Sequence, residues 1–86
     1  MIKYIQVKNI NNRPNQFIIR TPNAEYFQSY DSVIAMRTEK QTYLDINYWD
    51  YSTTTGKYRN IFLAEDKKLT QKKIDHSIYL LVDLNN

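Results

Sequence analysis

The chain has no cysteine, one glycine, one histidine, one tryptophan and two prolines. Without thiols there is no disulfide framework, no thiolate metal site and no cysteine nucleophile. The lone His76 has no second imidazole with which to share a metal, and Asp75 and Asp83 are poor substitutes. At the expected end of a helix it reads as a cation that suits the helix dipole. The scarcity of glycine and proline leaves little flexible linker, and there is no repeat or low-complexity tract beyond the short run at 52–55. The longest apolar run, residues 78–82, is far below the ~20 residues of a membrane span. Residues 1–7 alternate where a signal peptide is continuously apolar. The expectation is a cytoplasmic protein with no membrane association.

Charge of one sign is also scarce. Twelve basic and nine acidic residues give a net charge of +3, which permits contact with nucleic acid or an acidic protein face without demanding it. Tyrosine, by contrast, is overused, with eight copies. It offers a rigid apolar body with a polar tip, suited to small cores and contact surfaces alike. Eighty-six residues fit one domain, 1–86, and a chain of this size buries roughly 60–65% of its unfolded surface. A surface site is expected rather than a deep cavity.

Residues 2–8 alternate like a strand, and 9–15 are dense in turn formers. Residues 16–20 read as a second strand, antiparallel to the first and ended by Pro22. Residues 24–32 fit a helical turn or an irregular strand entry, with Asp31 as a turn residue. Residues 32–37 and 42–46 form a hairpin, with Leu44 and Ile46 inward and Tyr43 and Asp45 outward. The period then changes: Tyr58, Ile61, Phe62 and Glu65 lie at i, i+3, i+4, i+7, an amphipathic helix with Asp50 or residues 52–54 as N-cap. Gly56 inside it suggests close packing. A second helix starts at Thr70 as cap, with Leu69 and Ile74 as a staple, which puts Lys72 and Lys73 unfavourably in its first turn. Residues 77–84 form the last strand, apolar on both faces and therefore central or covered. The expected fold is α+β: a mainly antiparallel sheet of about five strands with two short helices on one face, in the order ββββααβ.

No motif carries recognisable catalysis, and no cofactor is implied. Residues 52–57 look like the end of a phosphate-binding loop, but Tyr51 replaces its first glycine and Tyr58 its Mg²⁺-binding hydroxyl, and no parallel βαβ unit is expected. Asp31, Asp45 and Asp50 show no spacing that makes a cleft of paired acids. Residues 49–58 can still bind in a simpler way. Trp49 is expected to plug the gap between helix and sheet, which leaves Tyr48, Tyr51 or both exposed. Ser52, Thr53, Thr54 and Thr55 sit at a helix start with Lys57 and Arg59 close behind, a setting that suits an anion or serves as plain capping. With Lys72 and Lys73 these residues make the candidate partner-binding surface.

YFQSYDSVIAMR at 26–37, YLD at 43–45, WDYSTTTGKY at 49–58, FL at 62–63, TQKKI at 70–74 and DLN at 83–85 together resemble a family of small uncharacterised proteins of bacteriophages and mobile elements. The likeness spans about residues 26–85, leaving out the first hairpin. Thr53 stands where that pattern has a basic residue. The resemblance implies a phage-type accessory protein in the host cytoplasm and no assigned activity. The leading expectation is a non-enzymatic protein that binds a protein of a host or phage complex, with inhibition of a defence system such as CRISPR as one instance. The alternative is a nucleic-acid binder using the tyrosines with Lys57, Arg59, Lys67, Lys68, Lys72 and Lys73. The oligomeric state is not fixed by the sequence; a structural oligomer is a third reading, and a homodimer fits it.

Overall fold

A computed structural model describes residues 4–86. Six strands form one sheet in sequence order: β1 (Gln6–Asn9), β2 (Gln16–Arg20), β3 (Glu25–Ser29), β4 (Ser32–Arg37), β5 (Thr42–Asp45) and β6 (Tyr79–Val82). Helices α1 (Thr53–Leu63) and α2 (Lys67–Asp75) connect β5 to β6. The first five strands are an antiparallel meander, but β6 runs parallel to β5. The α+β class and the two helices on one face are as expected. The strand count and the wholly βαβ-free topology are not. Of the expected strand at 2–8, residues 2 and 3 lie outside the described residues.

The extra strand is β3, from the ambiguous stretch at 24–32. Phe27 and Ser29 are buried while Tyr26 and Gln28 are only half-buried, the period of a strand. A two-residue turn then pairs Ser29 with Ser32. It places Tyr30 at φ 54°, a rare conformation for an aromatic residue, and Asn15 O and the Gln28 amide hold it there.

The parallel crossover corrects the expectation that no βαβ unit exists. Gly56 and Lys57 nevertheless fall inside α1 rather than in the loop before it, so no phosphate-cradling loop forms. In α1 the buried set is Thr55, Gly56, Tyr58, Arg59, Phe62 and Leu63, and Ile61 is exposed. Ser52, not Asp50, is its cap: Ser52 Oγ accepts from Thr55 N at 3.1 Å. The α2 boundary also moves. Asp66 is the cap, accepting from Leu69 N at 2.9 Å, and Leu69 is exposed within the helix. Lys72 and Lys73 consequently occupy the last turn, where the dipole favours them.

The core joins Phe27, Ile34, Ala35 and Leu44 of the sheet to Tyr58, Phe62 and Leu63 of α1, with Ile10 at one end. Trp49, Ile74, Tyr79 and Leu81 pack around it. β6 is an edge strand, with Tyr79 and Leu81 against the helices and Leu80 exposed; it is not central.

Candidate functional site

The approach to α1 is built on Asp45. Its side chain is fully buried and Ile46 is exposed, the reverse of the expected orientation. Strand pairing stops at Asp45, so alternation no longer governs Ile46. The carboxylate accepts from Asn47 N at 3.0 Å, Tyr48 N at 2.9 Å, Leu84 N at 2.7 Å and the Asn85 amide at 3.0 Å. Four N–H donors satisfy a buried anion without a cation. They also fix the turn that carries residues 47–51.

Arg59 anchors the next part of that turn. It is 1% exposed, and its Nη1 donates to Trp49 O at 2.7 Å and to Asp50 at 3.2 Å, while Nη2 donates to Asn60 at 2.9 Å. The guanidinium lies 5.2 Å from the centre of the Trp49 ring, and Nε is buried with no hydrogen-bond partner. Gly56 faces the same group. A Cβ there would lie 3.5 Å from Nη2, an ordinary contact, so the glycine is not sterically required.

With its backbone held from beneath, the segment turns two rings outward. Tyr48 and Tyr51 form an edge-to-face pair 5.4 Å apart, 36% and 50% exposed. Tyr51 opens onto a cleft of about 670 Å³, also lined by Ser52, Thr53, Gly56, Lys57 and Asn60, with Asp50, Arg59 and Lys67. Three cations face one carboxylate. Burial pushes the Asp50 carboxyl up, but hydrogen bonds from Lys67 and Arg59 outweigh it and hold the group below its ordinary range. Lys67 reaches Asp50 at 2.6 Å. Among the described residues no carboxylate pairs with Lys57.

Five predicted residues thus come together at the cleft: Tyr51, Ser52, Thr53, Lys57 and Arg59, with Tyr48 beside Tyr51. Arg59 is a buried strut and not an exposed contact. Thr54 is exposed on the same first turn but does not line the cleft. Thr55 is buried, sharing a hydrogen bond of 3.1 Å with Ser29. Asn60 was not expected. Its signal lay in the spacing Thr53, Gly56, Lys57, Asn60, an i, i+3, i+4, i+7 stripe that meets the buried face only at Gly56.

Lys73 is also structural. Its Nζ donates to Glu65 at 2.6 Å, and Glu65 accepts further from Thr70 at 2.6 Å and Tyr79 at 3.0 Å. This cluster ties the end of α1 to α2 and β6. Thr70 is therefore a buried partner of Glu65 and not a cap. Lys72 remains exposed, beside a second cleft of about 630 Å³ that it lines with Lys67, Lys68, Gln71 and Asp75.

Among the described residues no group of three His, Asp or Glu side chains is placed to hold a metal ion, and no helix is long and apolar enough to cross a membrane.

Fold and site define a small two-layer α+β protein with an open, basic, tyrosine-edged cleft at the first helix. The chain belongs to the family of unknown function DUF8033, whose model matches residues 4–77. The match includes the first hairpin, which the resemblance read from sequence had left out; β1 and β2 are integral to the sheet. No curated protein and no solved structure matches the chain.

Proposed function

We propose that this protein is a non-catalytic binding module that engages a protein partner through Tyr48, Tyr51 and Lys57. The supporting observation is the exposed edge-to-face tyrosine pair at the rim of the cleft, beside Lys57, with which no carboxylate pairs among the described residues. Tyrosine is among the residues that carry most of the binding energy in protein interfaces, and a charge at the rim steers the choice of partner. The excess of cations selects a partner that presents carboxylates. The resemblance to phage and mobile-element proteins supports a host or phage complex as the target, with a defence effector such as CRISPR as the specific instance.

Tyr51→Ala and Lys57→Glu test this reading. Both residues are exposed, so the variants are expected to fold with unchanged stability. Each is expected to weaken partner capture about 30-fold, the equivalent of ~2 kcal/mol. Full retention of the captured partner by the double variant rules the reading out.

The outer face of α2 favours a second reading, nucleic-acid binding. Lys67, Lys68 and Lys72 flank one cleft there, with Asp75 the only acid, and Lys57 lies across the first cleft. Four phosphate contacts would give a log–log salt slope near −3 to −4 for DNA. Retardation that is absent or independent of salt eliminates it.

A further inference from the structure

The face of the sheet away from the helices carries a continuous apolar row. Val7 pairs with Ile19, Ile19 with Tyr26, Tyr26 with Met36, Met36 with Tyr43, and Tyr43 with Leu80. One residue comes from each of the six strands. The helices pack on the opposite face, through Phe62 on Phe27, Thr55 on Ser29 and Lys73 on Tyr79. The ends of the row are open: Val7 is 59% and Leu80 38% exposed. The adjoining strand positions on this face are Asn9, Phe17, Gln28, Val33 and Val82. Among the described residues Asp45 is the only charged one at the strand positions of this face, and it is buried beneath its N–H donors.

We infer that this face is the interface of a homodimer, two copies packing sheet to sheet. This goes beyond the proposed cleft function and does not depend on it. Three observations select a second copy as the occupant. A copy brings an equally uncharged face, so no charge is buried unpaired; most other protein surfaces would bring one. The row crosses the whole sheet, so an identical row matches its width of about 24 Å at the usual strand spacing. Six strands of four to six residues span about 450 Å² of sheet plane per copy, which brings the pair to the ~1,000 Å² lower bound of a biological interface once side-chain relief is included, in keeping with a dimer that dissociates on dilution. In such an isologous contact Tyr26 and Met36, at the middle of the row, sit near the two-fold axis.

Sedimentation velocity and light scattering on the full chain test the inference. The expected species has twice the 10.4 kDa chain mass and dissociates on dilution. Met36→Lys places two like charges near the axis and is expected to weaken the dimer at least about 100-fold. Should that half-buried position not tolerate lysine, Val7→Arg with Leu80→Arg reads the same interface from exposed edge strands, with circular dichroism confirming the fold. Tyr51→Ala, on the cleft, should leave the dimer intact. A wild-type chain that stays monomeric up to about 200 µM overturns the inference. So does a dimer that survives in a folded variant of either kind, since it must use another surface.

Discussion

The Asn85 amide reaches the buried carboxylate of Asp45 at 3.0 Å across 40 residues of chain. The same side chain accepts from Val33 N at 2.7 Å and donates to Val33 O at 3.0 Å. Pairing of β4 with β5 begins only at Ala35, so Val33 has no β5 partner. Asn85 supplies the missing ladder contacts and locks the end of the chain to the turn that presents Tyr48.

Asp45→Asn is therefore expected to destabilise the protein by about 3 kcal/mol, because an NH₂ group would oppose N–H donors already in place. Asn85→Ala should cost about 2 kcal/mol, and the double variant less than the sum, since both act on one network. Urea titration of the four proteins in a double-mutant cycle measures this. Strict additivity would show that the two residues act separately.

Arg59 and Lys57 are expected to separate stability from binding. Arg59→Ala leaves the Trp49 carbonyl and Asp50 without their buried partner and should cost about 3 kcal/mol. Lys57→Glu should change the thermal midpoint little while weakening partner capture. Paired melting and binding measurements on the two variants decide it.

Gly56→Ala is expected to stabilise α1 by about 0.5–1 kcal/mol, since alanine is the better helix former and the new methyl meets only ordinary contacts. The gain should appear in the thermal midpoint. A loss of stability would mean that the added methyl disturbs the Arg59 guanidinium by more than the helix propensity returns.

The Glu65 cluster sets a pH dependence. Burial pushes the Glu65 carboxyl up, but hydrogen bonds from Lys73, Thr70 and Tyr79 outweigh it, and the group lies below its ordinary 4.5. A lowered folded value means stability that is fully present above about pH 4.5 and lost as pH falls through the folded value. Lys73 has the opposite sign: the Glu65 hydrogen bond raises it above 10.5, so its contribution holds below that pH and fades above it. Urea midpoints should be flat through neutrality and fall on the acid side. Glu65→Gln should lower the neutral plateau and flatten the acid limb.

The sequence by itself determined the α+β class, both helices, four strands at nearly their true bounds and the exposure of at least one of Tyr48 and Tyr51. These rest on local periodicity, on capping chemistry and on the volume that three adjacent aromatics cannot all bury. It also placed five residues of the cleft, because a helix start collects hydroxyls and cations within one turn. Only the tertiary structure decided the rest. The parallel pairing of β6 and the uncharged row across six strands depend on register between distant segments, which no local pattern encodes. The inward Asp45, the buried Arg59 and the committed Lys73 depend on partners at Leu84, Trp49 and Tyr79 that satisfy them. A charged residue reads as surface until its partners are known. Here those partners come from elsewhere in the fold, and they turn three expected surface groups into the struts that hold the cleft and the closing strand in place.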